Sequence, residues 1–278
     1  MRAGAADGGT TTGETGGRVE TVATGGTTLR YTVSDEGSRP AIVFVPDAGF
    51  GPWMWGWQAP ALTGRYRTVV YATRGTDGSD RSGPYTVDRF AADLDAVLSD
   101  AGIRRVHLVG AGLGGMVALR YAREYGRARS LSLFGVAASG ERIDRGALAA
   151  LHPDDPASFE ASMSGAFTER FLVESGLAAR IAAWRRAEDA TGEAASGHRS
   201  AALEFEAGAL YELAVPALVC HGVDDPIVPI AAGEEVADEL PRGRFEAVEG
   251  RRCCYVEHAS AVTDAIDGFL RDVDASDE

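Results

Sequence analysis

The chain has 278 residues, 45% of them apolar, which is enough to bury one large core with an accessory region. Its formal net charge is −14, and all 27 basic residues are arginine, with neither lysine nor asparagine anywhere in the chain. So acidic a surface argues against nucleic acid as a partner, and no apolar stretch approaches the length needed to cross a bilayer.

The acidic, lysine-free composition is expected of a salt-rich cytoplasm, where a Debye length of about 3 Å at molar salt screens self-repulsion. Three cysteines, Cys220, Cys253 and Cys254, give no paired framework and no Cys-x-x-Cys, so neither a disulfide scaffold nor a metal site is indicated. Residues 1–17 are rich in Gly, Thr and Ala without an apolar run, which predicts a disordered tail rather than a signal peptide.

In chain order, Val19 to Ala23 and Leu29 to Val33 flank Gly25-Gly26 and predict an opening hairpin. A buried-type strand at Ile42 to Val45, an aromatic helix from Trp53 to Leu62, a strand at Thr68 to Tyr71 and a helix from Val87 to Asp100 follow. Then come a short strand, Arg105 to Val109, a glycine-rich turn and a helix, Leu113 to Tyr125, with a strand at Ser130 to Phe134 after it. Residues 140–212 change character to Ala-rich helical segments, with helices expected over Phe159 to Leu172 and Leu177 to Ala190. The α/β pattern resumes with a strand at Ala217 to His221, a helix at Ala231 to Leu240, a strand at Arg244 to Val248 and a helix from Val256 to Val273. Alternating strands and helices predict a mostly parallel sheet covered on both faces, with residues 18–139 and 213–278 forming the core and 140–212 a helical cap.

The turn at Gly110 to Gly114 reads Gly-Ala-Gly-Leu-Gly, in the strand-turn-helix setting where a serine hydrolase carries Gly-x-Ser-x-Gly. Gly110, Gly112 and Gly115 also spell the spacing of a dinucleotide-binding loop. That alternative needs the first βαβ unit and an acidic residue ending the next strand, whereas this turn sits mid-chain and the next strand runs into Gly135 and Val136.

Four segments in order carry a resemblance. They are Trp53 and Trp55 after the third strand, Arg74-Gly75-Thr76-Asp77-Gly78-Ser79, the turn at Gly110 to Gly115, and Gly222-Val223-Asp224-Asp225-Pro226. With these the chain resembles the α/β-hydrolase superfamily, in particular its capped esterase, enol-lactonase and non-haem haloperoxidase type. The resemblance implies an eight-stranded, mostly parallel sheet and three catalytic positions. Asp225 falls on the acid, Gly112 on the nucleophile, and Arg252 on the base. Glycine has no nucleophilic atom, and an arginine cannot accept a proton at neutral pH. Loss of a triad serine or histidine costs on the order of 10⁶ in turnover. Pro46-Asp47 falls where the family has His-Gly, leaving the Ala48 and Leu113 amides as oxyanion donors beside an Asp47 carboxylate that is either a solvated loop residue or part of the pocket.

The expected function is therefore that of a hydrolase-fold protein without serine-hydrolase turnover, requiring no cofactor and binding a small metabolite, anionic where Arg252 has spare donors, in space vacated at Gly112. An Asp225–Arg252 ion pair would replace the acid–base contact. Two other readings stay open: a hydrolase or lyase using Asp225 with His221 or His258, and an interaction subunit of an active relative. Cys253 and Cys254 could face the pocket, where a guanidinium could lower a thiol pKa, although buried, inert cysteines are the commoner case, and Ser139 has no elbow around it. Of Trp53, Trp55 and Trp57, two are expected under the sheet and one at the pocket mouth, while Phe167, Phe171 and Trp184 would shape the cap side of the pocket.

Overall fold

A β-branched run such as Ala41–Val45 has no polar face, so it is stable only with both sides covered, and all five of its residues are buried. In the computed structural model, which describes residues 17–34, 37–153 and 155–276, runs of this kind form the centre of one eight-stranded sheet. The strands are β1 (Arg18–Thr24), β2 (Thr27–Val33), β3 (Ala41–Val45), β4 (Arg67–Tyr71), β5 (Val106–Ala111), β6 (Ala128–Phe134), β7 (Ala217–Gly222) and β8 (Gly243–Val248). Their spatial order is β1-β2-β4-β3-β5-β6-β7-β8. The β1–β2 hairpin and the β2–β4 pair are antiparallel, and every later pairing is parallel.

Helices α1 (Gln58–Leu62), α2 (Val87–Asp100) and α3 (Leu113–Tyr125) precede the break in the pattern. Between β6 and β7 lie α4 (Arg145–Leu151), α5 (Phe159–Ala166), α6 (Glu169–Glu174), α7 (Ala178–Glu188) and α8 (Gly192–Leu203), with no named strand among the described residues there. The chain closes with α9 (Ile230–Glu239), α10 (Cys254–Glu257) and α11 (Ala259–Ser276). Helix α3 packs on β5, β6 and α2, while α9 covers β7 and β8.

Several helices are shorter or more broken than their sequence pattern predicts. The aromatic helix expected over Trp53 to Leu62 is a 3₁₀ turn, Pro52–Trp55, followed by α1, because Gly56 N donates to Trp53 O at 3.0 Å and ends the first turn. Phe167 is extended, with φ −132° and ψ 152°, so the single helix expected to Leu172 becomes α5 and α6, the latter capped by Thr168 Oγ1. His258 breaks the last helix between α10 and α11, and α4 and α8 were not expected as separate elements. Of the tail expected over residues 1–17, only Gly17 is among the described residues. No described helix is long and apolar enough to cross a membrane.

Candidate functional site

Strand β5 delivers the chain to Gly112, which adopts φ 46° and ψ −113° before α3 begins at Leu113. This conformation is open to glycine and strained for other residues. Gly114 permits the approach of α3 to β3, since a Cβ there would overlap the carbonyl oxygens of Val45 and Pro46. The strand-turn-helix geometry of an elbow is therefore present, with a residue that carries no side chain at its apex.

The space expected at that apex is occupied. A Cβ built on Gly112 would overlap Asp47 Oδ1 and Arg252 Nη2. Asp47, at the end of β3, is 1% exposed, so it is not a solvated loop carboxylate. Its Oδ1 accepts hydrogen bonds from Ala48 N at 2.7 Å and Leu113 N at 2.9 Å. One side-chain oxygen thus takes both of the amides expected as oxyanion donors. Its Oδ2 accepts from Arg252 Nε at 2.8 Å.

Arg252 reaches this carboxylate from the loop after β8 and is 4% exposed. Its Nη1 donates to Asp225 Oδ2 at 3.0 Å and to Gly135 O at 2.6 Å. Burial by itself would lower the guanidinium pKa, but the charges of Asp47 and Asp225 outweigh it and raise the pKa. The other oxygen of Asp225, Oδ1, accepts from Ile227 N at 2.8 Å and Val228 N at 3.2 Å, so the carboxylate shapes its own loop and does not cap α9, whose N-cap is Pro229. The three side chains Asp47, Arg252 and Asp225 form one buried network carrying two negative charges and one positive.

Cys253 is fully buried, its Sγ 3.5 Å from Tyr255 Oη, and burial raises its pKa despite the nearby guanidinium. Burial likewise pushes Cys254 up to about 12. Desolvation outweighs one neighbouring charge that is already paired, so both thiols follow the buried, inert alternative. His221 Nε2 donates to Val228 O at 2.9 Å and lies 3.6 Å from Asp225 Oδ2, while its Nδ1 faces Gly233. Ser139 Oγ accepts from Glu141 N and donates to Glu206 Oε1, and His258 sits at the junction of α10 and α11. Among the described residues no group of three His, Cys, Asp or Glu side chains could hold a metal ion.

Helices from the 140–212 segment close over the Asp47 loop through contacts that the sequence did not suggest. Asp189 Oδ1 accepts from Gly51 N at 2.9 Å and Trp53 Nε1 at 2.8 Å, while its Oδ2 accepts from the fully buried Arg185 at 2.9 Å. Glu188 Oε2 accepts from Trp53 N at 2.7 Å, and burial followed by the charge of Asp77 pushes the Glu188 carboxyl up to about 8. His198 accepts from Gly49 N on Nδ1 at 3.0 Å and donates from Nε2 to Arg74 O at 2.8 Å, with burial pushing its pKa down to about 4. The signal was slight: one acidic pair ending an Ala-rich helix, and one histidine in the next.

Trp53 and Trp55 are buried, and Trp55 stacks on Tyr255 at 4.9 Å between ring centroids. Trp57 meets Trp184 edge to face at 5.9 Å, and Phe167 stacks on Phe171 at 5.2 Å, so Trp57 braces α7 instead of lining a mouth above Gly112.

Comparison with known proteins agrees with this architecture. A 3-oxoadipate enol-lactonase of Acinetobacter baylyi is 25% identical over 260 residues, covering 89% of this chain and 95% of the relative. The solved enol-lactonase from Burkholderia xenovorans LB400 superposes with a TM-score of 0.80 at 26% identity, covering 91% of this chain and 100% of that one. A thermophilic esterase from Thermogutta terrifontis, solved with malate bound, gives a TM-score of 0.75 at 25% identity, covering 92% and 99%. The sequence profile of the alpha/beta hydrolase family matches residues 42–265, and with the elbow turn, the acid loop and the sheet order in their places, the chain belongs to that family.

Proposed function

We propose that this chain is a non-hydrolytic member of the alpha/beta hydrolase family, acting by binding rather than by turnover. The observation that carries the reading is the position of Asp47 Oδ1, on both the Ala48 and Leu113 amides. A carboxylate oxygen there takes the place that a substrate's developing oxyanion needs, and its full charge opposes any second one. Gly112 supplies no attacking atom, and Arg252 holds its protons too firmly to serve as a base.

The same network argues against a small anion docking on Arg252, as composition and motif alone had suggested. The guanidinium is already shared by two carboxylates, and the cluster's net charge is negative. Binding is therefore assigned to surfaces away from this centre. The alternative of Asp225 activating water finds little support, since its oxygens are engaged by two amides and Arg252.

The test is a short-chain ester and enol-lactone assay on the purified chain, with fluorophosphonate labelling in parallel. Neither turnover above buffer nor an adduct is expected. Turnover abolished by Asp225→Asn, or an adduct on any side chain near Gly112, would overturn the proposal.

A further inference from the structure

A sheet that is not closed into a barrel keeps two edge strands, whose free backbone groups can template pairing with another chain. β8 is one of them here: it ends the strand order, has 6 residues with no proline, and pairs with β7 in a register without a bulge. Proline, bulges and covering segments are the usual guards of an edge, which leaves charge as the guard of this one. Its two charged residues, Arg244 and Glu246, have opposite signs and stand two positions apart.

Ala217 N donates to Arg242 O at 3.1 Å and Val223 N to Val248 O at 2.9 Å. Between these bonds the parallel register is unbroken, so the bonds toward β7 fall on Arg242, Arg244, Glu246 and Val248. The N–H and C=O groups of Phe245 and Ala247, with the C=O of Gly243, therefore point away from β7, and no described residue hydrogen-bonds to them. Gly243 N is taken by Leu240 O at 2.9 Å. Side chains alternate along the same strand. Arg244 and Glu246 share the face toward α11, where the Arg244 guanidinium lies 5.9 Å from the Phe269 ring and 3.3 Å from Asp272, in a contact whose two side chains are both more than half exposed. Helix α11 does not seal this flank, since clefts of about 530 and 240 Å³ open along its seam with β8, one at Arg244 and one at Glu246.

We propose that β8 pairs antiparallel with β8 of a second copy of this chain, about a two-fold axis through Phe245, joining two eight-stranded sheets into one. In this register the outward groups of Phe245 meet those of its counterpart, and Ala247 N of each copy donates to Gly243 O of the other. Arg244 of each copy then stands directly opposite Glu246 of the other, on one face, and the two half-buried Phe245 rings meet on the opposite face. Other registers lose this match. Moving the axis by one residue sets Arg244 against Arg244 or Glu246 against Glu246, and moving it to Ala247 removes both ion pairs. The charge of −14 on each copy opposes association as a whole. At physiological ionic strength the Debye length of about 8 Å screens that long-range repulsion, while cross-strand neighbours about 5 Å apart stay within it. The inference is independent of whether the chain turns over a substrate.

The experiment is sedimentation velocity of the full chain over a concentration series at physiological ionic strength, where a reversible monomer–dimer equilibrium is expected. Glu246→Arg sets like charges opposite each other at both symmetry-related pairs and is expected to weaken the dimer at least about tenfold, as is Arg244→Glu. Both positions are exposed, so these variants keep the fold. Arg244→Glu and Glu246→Arg in one chain reverse every pair and are expected to restore the parent equilibrium. A mixture of the two single variants is expected to form heterodimers where neither associates with itself. Phe245→Pro removes an outward N–H without touching a bond to β7 and is expected to abolish the dimer. A monomer throughout the series, a dimer indifferent to the single charge changes, or a mixture that fails to associate overturns the proposal.

Discussion

Arg252 Nε lies 2.8 Å from Asp47 Oδ2, a contact between side chains 205 residues apart in sequence. Through it the loop after β8 is fastened to the loop after β3, directly above Gly112. Removing either partner leaves the other's charge buried with less compensation, and four predictions follow from this centre and from the helices that close it.

Asp47→Ala leaves Arg252 with one carboxylate and exposes the Ala48 and Leu113 amides to an empty space. Breaking a buried ion pair costs up to about 3–5 kcal/mol, and here Asp225 keeps part of the compensation for Arg252. In a chain of this size a loss in that range corresponds to a fall in Tm on the order of 10 °C. Acetate is expected to restore part of the loss in Asp47→Ala, by placing a carboxylate on the same amides, and to leave the parent chain unmoved. Thermal unfolding with and without acetate checks both statements.

Gly112→Ser alone is expected to destabilise the chain without producing activity. Its Cβ would meet Asp47 Oδ1 and Arg252 Nη2, and φ 46° strains a non-glycine residue by about 1–3 kcal/mol. The triple variant Asp47→Gly, Gly112→Ser, Arg252→His removes the obstruction and sets a serine and a histidine beside the existing Asp225. Fluorophosphonate labelling of the triple variant, and none of the single one, is the expected outcome by mass spectrometry.

Glu188 provides a pH dependence whose sign is fixed by its raised carboxyl pKa of about 8. A carboxyl whose pKa is higher in the folded state favours folding most below its unfolded value near 4.5, and this contribution is lost as pH rises through about 8. The slope is at most about 1.4 kcal/mol per pH unit. Glu188→Gln is expected to flatten that part of the profile, as measured by denaturant unfolding between mildly acidic and mildly alkaline pH.

Asp189→Ala strips the partner from a fully buried Arg185 and leaves Gly51 N and Trp53 Nε1 without their acceptor. A loss of about 3–5 kcal/mol is expected. Asp189→Asn keeps an acceptor and is expected to cost less. Limited proteolysis should cut between α7 and α8 in Asp189→Ala before the sheet itself unfolds.

The sheet was legible because its central strands are apolar throughout and separated by helical spacing of the kind at Val87 to Asp100, so pattern and burial coincide. The turn at Gly112 was legible as well, since few local sequences suit a strand feeding directly into a helix. Arg252 could be placed near Asp225 because their loops follow adjacent strands, and they lie 3.0 Å apart. What Asp47 does was not legible. Its partners Leu113 and Arg252 come from other loops, and only the assembled backbone shows that its carboxylate fits both amides. Cys253, grouped with the pocket residues from its place beside Arg252, is fully buried, and closeness to arginine in sequence says nothing of the desolvation that dominates its thiol. The helices closing over the site were blurred because runs such as Gly192–Leu203 are small-residue helices with little contrast between their faces.

The segment from Asp47 to Trp55 is held from below by Arg252 and from above by Asp189, Glu188 and His198. Water reaching the Ala48 and Leu113 amides has to undo both sets of contacts, so their protons should exchange with deuterium as slowly as those at the centre of the sheet. What would be a mobile, solvent-filled doorway in an open cleft is here part of the slowest-opening unit of the chain.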